Sequence, residues 1–122
     1  MILVDTSVWI DHLRSGSSSL ADALDEERVF AHPFVIGELA CGNLRNRTQI
    51  LADLQALPAA VCAEHEDVLA LLGDRKLWGK DLGWIDAHLL ASAVLSRCEL
   101  WTLDKGLRRA AAALDVAPRH LG

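Results

Sequence analysis

The sequence predicts an α/β fold: a central parallel sheet flanked by helices. Short apolar runs that suit strands alternate along the chain with longer segments whose apolar residues recur at helical spacing. The strand-like runs, Ile2-Leu3-Val4 above all, are continuously apolar, as strands covered on both faces must be. Gly, Pro, Ser and Asn fall between these runs and punctuate them.

The elements follow in order. A buried strand over 2–4 leads into a short helix over 8–14, with Ser7 as its cap and Gly16 as its stop. A second helix runs over 20–27, capped by Ser18 or Ser19, and 28–31 forms a short strand. Pro33 suits the first turn of a helix through Cys41 that Gly42 and Asn43 close. Ile50, Leu51, Leu54 and Leu57 mark a helix over 48–57 that Pro58 ends, and 60–62 reads as another short strand. A helix from Glu64 places Val68, Leu69, Leu71 and Leu72 on its apolar side, and Gly79 and Gly83 mark the loop after it. The segment 84–96 is the most apolar helix, 99–103 the next strand, and 105–114 the last long helix.

A chain of 122 residues, 52% hydrophobic and 24% charged, fits a single domain over 1–122. Such a chain buries roughly two-thirds of its unfolded surface, so a metal here would serve function rather than folding. Cys41, Cys62 and Cys98 share no metal or redox spacing and have apolar neighbours, which predicts free, buried thiols in a reducing compartment. The Met1-Ile2-Leu3-Val4 run is cut by Asp5 and lacks a basic leader, so it does not read as a signal peptide, and no apolar stretch is long enough for a bilayer. The expected location is cytoplasmic. A net charge of −5 argues against holding a polyanion by charge alone, unless several acids gather around bound cations.

Four acids stand where such a fold collects ligands, near the carboxyl ends of strands or inside apolar surroundings. Asp5 follows the first strand and Asp104 follows the last. Glu38 interrupts the apolar run Phe34-Val35-Ile36-Gly37-Glu38-Leu39-Ala40, and Asp86 lies in the first turn of the helix that begins at Trp84. Each has an ordinary explanation: a strand-end Asp caps the next helix, and an acid in a first turn is favoured by the helix dipole. Together they say more. Carboxylates at about 4 Å repel by about 4 kcal/mol at an effective dielectric of about 20, and apart from Lys105, next to Asp104, no Arg or Lys is an obvious source of relief. A divalent cation relieves that repulsion. Magnesium, which binds one or two carboxylates alongside waters and phosphate, suits acids supplied by separate elements, and it can activate water against a phosphodiester. On repulsion alone, Asp5→Asn and Asp86→Asn should each leave the fold intact or more stable.

These residues carry a resemblance. Val4-Asp5-Thr6-Ser7-Val8-Trp9-Ile10, Val35-Ile36-Gly37-Glu38-Leu39, Trp84-Ile85-Asp86-Ala87-His88-Leu89-Leu90-Ala91-Ser92-Ala93 and Thr102-Leu103-Asp104-Lys105-Gly106-Leu107 resemble, in order, the four acid-bearing segments of PIN-domain ribonucleases of the VapC toxin type. The resemblance implies a magnesium-dependent endoribonuclease, with manganese as a substitute metal. Asp5, Glu38, Asp86 and Asp104 would form the metal site, Asp5 and Asp86 first among direct ligands, and Thr6, Ser7 and Thr102 would orient carboxylates or water. It further implies an RNA substrate, a homodimer and a VapB-type antitoxin partner.

Other readings are weaker. A haloacid-dehalogenase-type phosphotransferase needs a second Asp where this chain has Ser7, and the paired acids of a receiver domain are missing. The rival from another class is a non-cleaving PIN-like module that binds RNA or protein, and DNA cleavage is a further alternative. His12, His32, His65, His88 and His120 share no ligand spacing, and His88 reads as a plain helical histidine. Trp9, Trp78, Trp84 and Trp101 could stack on bases, but at these positions a core or dimer-interface role is the stronger reading. Arg45, Arg47, Arg75, Lys76, Lys80, Arg108 and Arg109 are candidates for phosphate contact.

Overall fold

The computed structural model describes residues 1–119. Its sheet has the order β2-β1-β3, from β1 (Ile2–Val4), β2 (Val29–Phe30) and β3 (Glu99–Trp101), and both pairings are parallel. Ile2 pairs with Val29 on one side and Glu99 on the other, so β1 is central. Its three side chains are at most 1% exposed, which explains why the run is wholly apolar.

The helices are α1 (Thr6–Ser15), α2 (Ser18–Asp25), α3 (Pro33–Cys41), α4 (Arg47–Ala56), α5 (His65–Asp74), α6 (Trp84–Ser96) and α7 (Lys105–Ala113). The α/β fold with a parallel sheet is therefore as the sequence predicts. Helix α6 buries seven consecutive residues, Ala87 to Ala93, because it lies across the sheet and is covered again by α5. Leu89, Leu90 and Ala93 join Ile2, Leu3, Val4, Leu100 and Leu107 in the main core. Ala87 and Ala91 meet Val68 and Ala63 in a smaller cluster towards α5.

Several local expectations are corrected. Helix α1 begins two residues earlier than predicted, because Asp5 caps it by accepting the Thr6 N–H, and Ser7 lies inside. Ser17, rather than Ser18 or Ser19, caps α2, its hydroxyl accepting from Leu20 N–H. The expected strand over 60–62 is reduced to one bridge between Ala31 and Ala59. Past it, the Val61 N–H leaves the ladder for the Ser96 hydroxyl at 2.8 Å. The last strand stops at Trp101, because the Leu103 N–H turns to Ser7 and the Asp104 N–H to Thr102. Leu69, assigned to the apolar side of α5, is 51% exposed.

Only Cys98 is a buried thiol; Cys41 and Cys62 are free and exposed. Cys41 lies two residues beyond the buried Leu39, which on a helix is the other side. Among the described residues no helix is long and apolar enough to cross a membrane.

Candidate active site

The parallel register brings the carboxyl ends of β1 and β3 side by side, and the residues that leave those strands interlock. Asp5 is 7% exposed and accepts three hydrogen bonds. The Thr6 N–H donates to Oδ1 at 2.8 Å, while the Ser7 and Thr102 hydroxyls donate to Oδ2 at 2.8 and 2.7 Å. Each hydroxyl also receives a backbone N–H: Leu103 donates to Ser7 at 3.1 Å and Asp104 to Thr102 at 3.0 Å. One network thus fixes the first carboxylate and the turn that carries the last.

The other three acids approach from their own elements. Asp104 caps α7, its Oδ2 accepting the Leu107 N–H at 2.8 Å. Asp86 turns back along α6 to accept the Gly83 N–H on Oδ2 at 3.1 Å. Glu38, on α3, accepts the Thr6 hydroxyl on Oε1 at 2.8 Å, which ties α3 to the start of α1. Contrary to the buried position its apolar neighbours suggest, Glu38 is exposed, as is Asp104; Asp86 is half-buried. Among the described residues Glu38 Oε2, Asp86 Oδ1 and Asp104 Oδ1 accept no hydrogen bond, so each acid binds the fold through one oxygen and leaves the other open.

Asp86 reports the electrostatics. Burial raises its carboxyl above the usual Asp range, the Gly83 N–H opposes that rise, and the charges of Asp5, Asp104 and Glu38 add to it. The structure therefore brings all four predicted acids into one electric field. Among the described residues the ion pair is Arg28 with Glu26 at 2.8 Å, and none of the four acids is paired with a cation. No three His, Cys, Asp or Glu side chains of the described residues form a ready-made metal-binding group. The four carboxylates, supplied by separate elements, close no cage among the described residues, and an all-oxygen donor set fits a hydrated hard cation better than zinc.

Thr6, Ser7 and Thr102 stand where the sequence suggested, each on a carboxylate. Of the basic candidates, Arg47, Arg75 and Arg108 donate to the carbonyls of Ala40, Ala113 and Thr102. Trp9 is in the core and Trp101 is half-buried, its Nε1 donating to Glu99, whereas Trp78 and Trp84 are exposed.

The histidines are more particular than their spacing indicated. His32 is buried and caps α3: Nδ1 accepts the Phe34 N–H at 3.0 Å, which leaves Nε2 to donate to the Ser92 hydroxyl at 3.1 Å. Burial, aided by nearby His88, pushes its pKa down to about 4. His88, a helical histidine without ligand spacing as read from the sequence, is itself buried, between Phe34 and Trp84. Pro33 at the helix start marks position 32 as the cap, a signal independent of ligand spacing. His120 lies outside the described residues.

Fold and site together define an α/β protein with acids gathered near the carboxyl ends of its parallel strands. The chain belongs to the PIN-domain family, whose model matches residues 2–113. It is similar to two proteins named Ribonuclease VapC32, from the CDC 1551 / Oshkosh and ATCC 25618 / H37Rv strains of Mycobacterium tuberculosis. Each is 46% identical over 118 residues, spanning 96% of this chain and 95% of the relative. No solved structure matches at a significant level.

Proposed function

We propose that the chain is a single-domain, magnesium-dependent endoribonuclease that acts as the toxin of a type II toxin–antitoxin pair. The observation that supports this reading is that the charges of Asp5, Glu38 and Asp104 all act on Asp86, while among the described residues none of the four is salt-bridged. The nearly full-length likeness to proteins named ribonuclease directs that chemistry to RNA.

The residues divide the work. Asp5, held by three donors, is a rigid anchor for a metal, and Asp86, which feels the charge of Asp5, has its Oδ1 open. Glu38 and Asp104, exposed and each with an open oxygen, are placed to ligate or to accept a proton from water. Thr6, Ser7 and Thr102 orient these carboxylates through the bonds described above. A bound magnesium ion would supply charge to an attacking water and to the departing phosphodiester oxygen.

The same reading gives the protein a VapB-type antitoxin, whose bound segment would cover the acids, a homodimeric state and a cytoplasmic location. The direct test is expression in a bacterial host followed by mapping of new RNA ends. Growth arrest with site-specific ends, relieved by the cognate antitoxin, supports the reading; arrest-free expression without new ends overturns it.

A further inference from the structure

An aromatic ridge runs across α3 and α6, the helices that carry Glu38 and Asp86. Phe34 packs edge-on against His88 with ring centroids 4.7 Å apart, His88 against Trp84 at 4.7 Å, and Trp84 against His65 at 5.1 Å. At its inner end Phe34 contacts His32 at 5.3 Å, and His32 is bonded to Ser92 in the core. The ridge is thus anchored from beneath. Its outer rings are open: Phe34 is 37% exposed, Trp84 is 40% exposed, and His65 is exposed beside them.

Its position is the second observation. Phe34 precedes Glu38 by four residues on α3, which puts the two on one face a single turn apart. Trp84, in the first turn of α6, lies on another side of that helix from Asp86 but is joined through His88 to Phe34, which shares the Glu38 face of α3. Two of the four acids therefore share their helices with the two open rings. A phosphodiester held at the acids would have its neighbouring nucleotides beside this ridge.

We infer that Phe34 and Trp84 form a stacking platform for unpaired nucleobases next to the bond that is cut. The inference rests on the nuclease reading for its substrate. Single-stranded RNA is held in general by aromatic faces that stack on bases while charges handle the backbone. This chain, with its net charge of −5, has a particular need for such an uncharged contribution. The rings, locked edge to face, lose little freedom on binding.

The test is binding of a fluorescent single-stranded oligoribonucleotide, and of the same strand with abasic riboses, in magnesium. All proteins carry Asp86→Asn so that the RNA survives. Trp84→Leu keeps apolar bulk and removes the ring; Trp84→Phe keeps a ring. The expected result is an affinity loss of about tenfold for Trp84→Leu, with most of it restored by Trp84→Phe. Abasic RNA should bind the two Trp84 variants and the parent alike. Equal affinity of Trp84→Leu and its parent for intact RNA overturns the inference, as does an equal loss on intact and abasic strands. A change of oligomeric state in Trp84→Leu with unchanged affinity for intact RNA overturns it in favour of a contact between copies of the chain. Cleavage by the native protein, measured separately, keeps the two readings apart. Metal-dependent cleavage with no Trp84 effect defeats only the platform, and a ring-dependent affinity without cleavage defeats only the nuclease.

Discussion

The Thr102 hydroxyl donates a 2.7 Å hydrogen bond to Oδ2 of Asp5, joining the exits of two adjacent parallel strands that are 97 residues apart in sequence. Because the same oxygen accepts the Asp104 N–H, the position of one acid depends on the position of another. Thr102→Val keeps the shape and removes both bonds. It should destabilise the protein by about 1–3 kcal/mol and lower cleavage without abolishing it, since Ser7 still holds Asp5. Urea denaturation and RNA cleavage measured together check this; unchanged values in both would show that the bond orients nothing.

Asp5→Asn and Asp86→Asn should part company. Repulsion alone predicts that both are tolerated, but Asp5 also caps α1 and accepts two hydroxyls, so an amide NH2 in place of Oδ2 faces donors. Asp5→Asn should cost about 1–3 kcal/mol. Asp86 has a raised folded pKa, so the stability it contributes is present below its unfolded pKa and is lost as pH rises through the folded value. Asp86→Asn removes that loss and should be at least as stable as native protein at pH 7 without metal. Melting temperatures in chelator decide it; the reverse order contradicts the assigned geometry.

Under the proposed metal site, magnesium should raise the melting temperature of the native protein, because it would bind the acids only as the folded state arranges them. At a hundredfold excess over Kd the stabilisation is about 2.7 kcal/mol. Asp86→Asn should shrink the shift. A native melting temperature indifferent to saturating magnesium and manganese counts against the metal site.

His32 makes stability depend on pH. Its folded pKa of about 4 lies below the ordinary 6.5, so its neutral form contributes fully above pH 6.5. As pH falls from 6.5 to about 4 the unfolded chain takes up a proton that the folded chain refuses, and about 3 kcal/mol is lost. His32→Gln should be less stable at pH 7, having a poorer cap for α3, yet lose less on acidification. Denaturation midpoints across pH 7 to 4 compare the two, and parallel slopes would remove His32 as the cause.

The legible parts of this fold were those whose cause is local. Helix α3 lies where Pro33 and Gly42 place it, and α6 where a largely apolar segment demands burial over its middle turns. The four acids could be picked out because each interrupts or ends an apolar segment. What sequence could not show depends on distant partners. Ser7 resembles a cap, but Thr102 and Leu103 recruit it to the site and leave the cap to Asp5. The run at 60–62 has strand character, yet Ser96 takes the Val61 N–H that a ladder would need. His88 has no ligand spacing, and its place between Phe34 and Trp84 exists only once α3 and α6 pack together.

The central claim is that four carboxylates use magnesium to cut RNA. The most direct measurement is incubation of total cellular RNA with native protein in magnesium, in chelator, and with identically purified Asp86→Asn. Discrete fragments confined to native protein with magnesium are the predicted result. Lanes that match for native and variant protein, in magnesium and in manganese, would contradict the account and favour a PIN-domain module that binds without cutting.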